Sequence, residues 1–492
     1  MKKHFKLHKL ILSSLVLSFL FAIPSYAAEP FESYSYNYWI DAVRQPYPYV
    51  YDKTFDEKDF ETKLNFPDDM FYYDDCIYVA DTGNSRVLKL DLSGKVLMEI
   101  DSAKSKSDSL NEPRGIYVTK KGHLYVADSK NARVVEYDEN GEFIREIGRP
   151  VTTLIADNVE YKPMKVVVDN DGRIYVIAYG INMGLVEFDR DGNFQGFMGA
   201  AEVNVSKFYY IWKNFFSTKE QQERMQTIVP TEYSNIFVDK ENFVYATING
   251  LTNEDIREGK DCIRRLNPTG TDVLRRLGPP IVGDLLFSEE SGLSSFKDVA
   301  ATDYGCYFVL DDANGKIFTY DYDGNSLFIF GKSGIKEGNV QKPVSIVIND
   351  DASRVYVLDG VLGNIVSFKI TDYGKLVLNA IFLNDTGDSE GSNACWQEVL
   401  KRNSNCEMAY VGLGKTFLSE GDYKKAMEYF KLGNSRKYYS KAFYYYRKEV
   451  MEKNFGKIMA VIILLVLALV AKKGYSRIKK WVGEVKCTTL KH

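Results

Sequence analysis

The stretch Ile77-Tyr78-Val79-Ala80-Asp81-Thr82-Gly83-Asn84-Ser85-Arg86-Val87 returns almost unchanged as Leu124-Tyr125-Val126-Ala127-Asp128-Ser129-Lys130-Asn131-Ala132-Arg133-Val134. A run of β-formers enters a polar turn, and a second run leaves it. Around this core sit a Pro-containing lead (Pro113-Arg114-Gly115-Ile116), a Gly turn (Ser93-Gly94, Asn140-Gly141, Asp191-Gly192, Asp323-Gly324) and a last apolar run. Runs of Val, Ile, Tyr and Phe bounded by Gly, Asn and Asp are the strand-and-hairpin signal. Asn and Gly accept the positive φ of tight turns. Each unit therefore predicts four strands joined by three turns.

Six copies succeed one another, with cores near 69–100, 111–148, 161–199, 232–278, 296–331 and 342–383. The turn Asp recurs as Asp81, Asp128, Asp311 and Asp359, with Ala178 and Ile248 in its place in copies three and four. A period of about 47 residues with four strands per period predicts propeller blades. Radial repetition leaves only short, protected sheet edges. The expected fold is mainly β, a six-bladed propeller over 61–384. In residues 28–60, Tyr49-Val50-Tyr51 is expected as a strand that completes the last blade, because a closed ring otherwise leaves a non-covalent seam.

The Pro-Arg-Gly-Ile lead, the Tyr-Val-Ala-Asp of 78–81 and 125–128 and the Asn-x-Arg of 84–86 and 131–133 resemble NHL repeats. The resemblance spans roughly 60–385 and is carried by copies one and two; copies three and four lack both the Asp and the Asn-x-Arg. It implies a six-bladed propeller of the bacterial secreted or membrane-anchored type.

The flanks read differently. Lys2, Lys3, Lys6 and Lys9 precede an apolar run from Leu10 to Ile23, then Pro24 and Ser25-Tyr26-Ala27. That pattern is a signal peptide over 1–27, which places the chain from residue 28 onward outside the cytoplasm. After a polar, Gly-containing linker at 384–391, helical periodicity takes over in 385–454. Tyr410, Leu413, Gly414, Phe417, Gly421, Asp422, Tyr423, Ala426 and Phe430 are spaced as in a tetratricopeptide (TPR) repeat, which this segment resembles. One unit cannot bury its faces alone, so Trp396–Arg402 and Ser440–Lys453 are expected as flanking helices, in a spacer or a peptide groove. Ile458 to Ala471 is apolar and short for a span of about 20 residues. Phe455 extends it and Lys457 can snorkel, giving a transmembrane helix over 455–472. Lys472, Lys473, Arg477, Lys479 and Lys480 then assign 473–492 to the cytoplasm. The expected location is the cell membrane, single-pass, with the propeller outside.

A net charge of −4 argues against a general nucleic-acid surface. The four His are His4, His8, His123 and His492, too few and too scattered for an imidazole zinc site. His123 is the one His available to a Ser-His-Asp triad, but it stands in the slot of Cys76 and Arg173 in sister copies. Asp81, Asp128, Asp311 and Asp359 share one register. They suit either oxygen ligands for a divalent metal such as calcium at a channel mouth, as some lactonase propellers hold, or hydrogen-bond acceptors for turn amides. No other cofactor is expected. Arg86 and Arg133 suit an anionic ligand or an ion pair inside the blade. The 35 Tyr and 29 Phe fill strand faces or supply a sticky surface.

An insertion at 200–231 carries Tyr209, Trp212 and Phe215. It continues into a helix with Ser217 and Glu220 at capping-box spacing, as a partner-binding arm or a rim helix. Cys395 and Cys406 are the one plausible disulfide, and spacing alone does not decide whether they pair. The expected function is a membrane-anchored extracytoplasmic binding or scaffold protein for a protein or glycan partner. The alternatives are a metal-dependent lactonase-like hydrolase and an accessory subunit of a membrane complex.

Overall fold

The structure is a computed structural model and describes residues 29–102, 104, 108–155, 158–181, 183–199, 233–248, 251–252, 254–255, 260–285 and 292–489. The expected signal peptide and the aromatic arm with Tyr209, Trp212 and Phe215 lie outside the described residues. Two units divide the chain, Met1–Ile381 and Phe382–His492.

The first unit is a six-bladed β-propeller. It opens with β1 (Tyr34–Tyr36), β2 (Ala42–Arg44), β3 (Tyr49–Phe55) and the one-turn helix α1 (Glu57–Phe60). Blade one holds β4 (Asp69–Tyr73), β5 (Cys76–Asp81), β6 (Arg86–Asp91) and β7 (Val96–Ile100). Blade two holds β8 (Pro113–Val118), β9 (Leu124–Asp128), β10 (Arg133–Tyr137) and β11 (Phe143–Ile147). Blade three holds β12 (Lys162–Val168), β13 (Ile174–Tyr179), β14 (Leu185–Phe188) and β15 (Phe194–Met198). In blade four, β16 (Tyr233–Val238), β17 (Val244–Ile248) and β18 (Ile263–Leu266) are followed by a single Leu266–Asp272 bridge rather than a full fourth strand. Blade five holds β19 (Phe296–Ala301), β20 (Tyr307–Asp311), β21 (Lys316–Tyr320) and β22 (Ser326–Phe330). Blade six holds β23 (Pro343–Ile348), β24 (Arg354–Asp359) and β25 (Asn364–Ile370).

The run Ile77-Tyr78-Val79-Ala80 is apolar throughout because both faces of a blade are covered. Ile77 and Val79 pack with Val344, Tyr356 and Leu358 of blade six. Tyr78 and Ala80, one step along the strand, pack with Ile116, Val126 and Val135 of blade two. The period of two thus sends alternate residues to opposite neighbours. The outer turns are built by their Asp. Asp138 accepts hydrogen bonds from the amides of Asn140 and Glu142, and Asp189 and Asp321 do the same in their blades. Gly141 completes its turn at φ +80°, and a Cβ there would meet Met98 Sδ of the neighbouring blade at 2.8 Å.

The fourth strand of blade six comes from the other end of the chain. β3 pairs antiparallel with β25, Thr54 opposite Val366 and Tyr51 opposite Phe368. Tyr49 is fully buried, stacks on Phe330 at 4.9 Å, and donates its hydroxyl to the Ala352 carbonyl. The sixth copy therefore does not run to 383 as strands. Residues beyond β25 form α2 (Asp372–Asp385), because the edge that a fourth strand would take is already filled by β3. The β1–β2 hairpin adds to the outer edge of blade five through β22. There Tyr34, Tyr36 and Lys316 converge on the Asp284 carboxylate.

The second unit is helical, with α3 (Ser389–Arg402), α4 (Glu407–Ser419), α5 (Tyr423–Leu432) and α6 (Arg436–Thr489). Asp388 and Asp422 cap α3 and α5 by accepting from the amides of Gly391 and Lys425. Gly414 lets α4 close on α5, since a Cβ there would sit 2.6 Å from the Phe430 ring. Tyr438 of α6 stacks on Phe430. Cys395 carries a free thiol, so no Cys395–Cys406 bridge forms. Among the described residues, α6 is the one helix long and apolar enough to cross a membrane.

Tyr49→Ala tests the closure. Emptying that site should destabilise the propeller by about 3–5 kcal/mol, read as a lower urea midpoint for the full chain in detergent. The exposed Tyr38→Ala in the same N-terminal segment should stay within about 0.5 kcal/mol.

Candidate functional site

The innermost strands β4, β8, β12, β16, β19 and β23 neighbour one another in a closed cycle around the propeller axis. Five of them carry a register shift within their first few residues, which re-aims the side chains beyond it. The residue just past the shift is Gly115, Lys165, Asn235, Asp298 or Ser345, and the corresponding slot of blade one holds Asp69. These six positions form a ring on the axis, and all of them are buried.

The ring is hydrogen-bonded from blade to blade. Asn235 Nδ2 donates to Asp298 Oδ1, and Ser345 Oγ donates to Asp298 Oδ2 at 2.8 Å. Ser345 Oγ also lies 3.2 Å from Asp69 Oδ1. Lys165 Nζ reaches Asp69 Oδ1 at 2.8 Å and the Asp68 carbonyl at 3.3 Å. Backbone amides add further donors, Ile116 to Asp69 and Val299 and Ile346 to Asp298. Gly115 completes the circle without a side chain, because a Cβ there would meet the Lys165 Cα at 2.6 Å.

Two carboxylates share one ammonium here, and burial dominates their titration. Desolvation pushes the Asp298 carboxyl up to about 6 against the pull of Lys165, and the Asp69 charge adds to the rise. Desolvation also raises Asp69, opposed by its direct contact with Lys165. Burial works to lower the Lys165 ammonium, but the charges of Asp69, Asp68 and Asp298 outweigh it and hold it above its ordinary value. A divalent ion does not fit this set. It needs several free oxygen ligands, whereas Asp69 already faces an ammonium and the other oxygens face backbone amides.

Beyond the ring the channel widens into a cavity of about 290 Å³. Phe71, Tyr117 and Phe237 line it two residues further along their strands, with Val167, Ala300 and Val347 completing that apolar layer. At the mouth, on the side of the first hairpin turns, stand Lys120, Asn170, Lys240, Asp303 and Asp350.

The residues singled out by the repeat lie elsewhere. Asp81 and Asp128 are fully buried, each in its own blade. One oxygen accepts from the amide of Asn65 or Asn111, in the segment leading into that blade. The other accepts from Asn84 and Arg86, or Asn131 and Arg133. Asp311 accepts from the amides of Ser295 and Ala313, and Asp359 from those of Gln341, Val361 and Leu362. The four carboxylates are separate turn fasteners, not brought together. Arg86 is taken up by Asp81, Glu99 and Thr62, and Arg133 by Asp128, Glu146 and Asp108. Among the described residues no three His, Cys, Asp or Glu side chains are grouped to hold a metal.

Recurrence does not mark the axial residues. Outside blade two their signal is a polar side chain two residues after a Pro or aromatic at the start of the first strand, as in Pro67-Asp68-Asp69, Pro163-Met164-Lys165, Phe296-Lys297-Asp298 and Pro343-Val344-Ser345.

The NHL repeat family matches residues 110–137, which cover the first three strands of blade two. No curated protein matches the chain. Among solved structures, the virginiamycin B lyase of Staphylococcus aureus is 10% identical, with a TM-score of 0.39 over 65% of this chain and 99% of that one. A gluconolactonase from Xanthomonas campestris is 11% identical, with a TM-score of 0.40 over 69% and 95%. The Swd1 β-propeller domain of Myceliophteria thermophila is 11% identical, with a TM-score of 0.40 over 66% and 100%.

Two outcomes test the ring. Lys165→Met strands buried carboxylates and should cost about 3–5 kcal/mol, while adding Asp69→Asn should recover part of that loss. Asp298 has a folded pKa above its unfolded value, so its ionisation opposes folding. Its contribution improves as pH falls through about 6 and levels off near the unfolded value of 3.8. Asp298→Asn should therefore remove a rise in Tm, relative to its own neutral-pH value, that the wild type shows between about pH 7 and about pH 5.

Proposed function

We propose that the chain is a membrane-anchored binding protein that presents its propeller on the outer side of a cell membrane and performs no catalysis. The observation that carries this reading is the saturation of the axial ring. Its two carboxylates and one ammonium are held by one another, by Asn235 and Ser345 and by backbone amides, which suits a structural floor beneath a binding cavity. A hydrolytic centre needs a nucleophile or a metal-bound water with free valence. The ligand is a small molecule or an element of a protein or glycan partner, received at the propeller face.

The anchor reading is supported by α6. Its apolar stretch is open to the surroundings, a condition that water penalises and a bilayer relieves. From Phe455 to Tyr475 the helix rises about 30 Å, the thickness of a hydrocarbon core, and aromatic residues at both ends suit the two interfaces. The packing of Gly414, Ala426 and Phe430 supports a TPR-like spacer between propeller and span.

The hydrolase reading keeps one observation in its favour, the convergence of Asp69, Asn235 and Asp298 on the axis. One experiment separates the two. Full chain in detergent should show no turnover of lactones or esters with or without calcium or manganese. Turnover that disappears in Asp298→Asn or Asp69→Asn would establish the hydrolase. Resistance of the native chain to carbonate extraction, lost on truncation before residue 455, checks the anchor.

A further inference from the structure

The charges along the channel are sorted by side. Its three lining lysines, Lys120, Lys165 and Lys240, come from blades two, three and four. The lining carboxylates of Asp69, Asp298, Asp303 and Asp350 come from blades one, five and six. One lining carboxylate falls on the lysine side, Asp239, and the Arg265 guanidinium holds it at 2.9 Å through Nε. The separation therefore runs from the buried floor to the exposed mouth.

At the floor the two sides neutralise each other through the Lys165–Asp69 contact. At the mouth they do not. Lys120, Lys240, Asp303 and Asp350 are exposed and make no ion pair among the described residues. Partial burial raises the Asp350 carboxyl, and the nearby charges of Asp75 and Asp303 raise it further, as expected where no cation answers them. Between floor and mouth lies the aromatic layer, with Phe71 and Tyr117 at a centroid distance of 4.8 Å. A volume of about 290 Å³ is at the lower end for small-ligand pockets.

We propose that the mouth of the channel binds a small zwitterion with an apolar side chain, an amino acid or very short peptide. Its ammonium faces Asp303 and Asp350, and its carboxylate faces Lys120 and Lys240. Its side chain enters between Phe71, Tyr117 and Phe237. Opposed charges orient such a ligand across the axis, whereas a simple anion or cation is repelled by one side. The apolar layer supplies burial, and the aromatic faces add attraction for the ammonium. This inference rests on the reading of the propeller as a binding module and names what that module takes.

Calorimetry on the full chain in detergent tests it, with phenylalanine, tyrosine, tryptophan and leucine. At least one should bind, and its N-acetyl and amide derivatives should each bind roughly tenfold more weakly. The double variant Asp303→Asn, Asp350→Asn should lose about tenfold for the free amino acid and nothing for the N-acetyl form. Lys120→Gln with Lys240→Gln should weaken the free amino acid equally and spare the amide. All four residues are exposed, so an unchanged Tm certifies the fold of each variant. No heat from any of the four up to about 10 mM, or equal binding of free and blocked forms, overturns the zwitterion site. Either result leaves the binding module standing if lactones are still not turned over. Asp298-dependent turnover overturns that reading whatever the calorimetry shows.

Discussion

A ring of blades must close, and here one short strand closes it. β3 lies against β25 and lends blade six its fourth strand. Everything inward depends on that seam. The axial slots reach their partners only if all six inner strands stand at the same height around the axis. Asp69 in blade one meets Ser345 in blade six across the closed junction. The aromatic cluster of Phe31, Tyr49, Phe330 and Phe368 fastens the same region by apolar burial. A weakness in the seam would therefore be felt first in the polar ring, which tolerates misplacement less than an apolar core does.

The polar ring itself is costly. Two carboxylates and an ammonium are removed from water, and such groups stabilise a fold only when their geometry and hydrogen bonds are complete. In this propeller they are complete, with each blade except the glycine-bearing second contributing a polar side chain. The arrangement suits one relative placement of the inner strands, since Lys165 shifted from its slot would lose its carboxylate partner. Specificity of assembly is a use for buried charge that an apolar plug would not offer.

The fold was legible because it is written many times. Tyr78, Val79 and Ala80 recur as Tyr125, Val126 and Ala127, and the same two-sided burial imposes the same residues. The motif Asp recurs because each one ties a turn to the segment that leads into its own blade. Two features escaped. The helix at Asp372–Asp385 occupies sequence that periodicity alone extends as strand, because nothing local shows that the edge of β25 is already taken. The axial site escaped because it is made of differences. Asp69, Gly115, Lys165, Asn235, Asp298 and Ser345 fill one slot with five chemistries, so the comparison that reveals the repeat averages the site away.

The seam also sets an order of events. The Tyr49 hydroxyl and the Ala352 carbonyl it meets are 303 positions apart, and synthesis delivers the first long before the second. β3 must wait, a strand with both edges open, while five blades form behind it. An open edge of this kind is a template for pairing with another chain. The charged Asp52 and Lys53 in its middle suit that interval, since charge on a waiting edge discourages foreign partners. In the finished ring Asp52 is answered by Arg354 of blade six. The residue that protects the strand during assembly thus becomes part of the clasp that ends it.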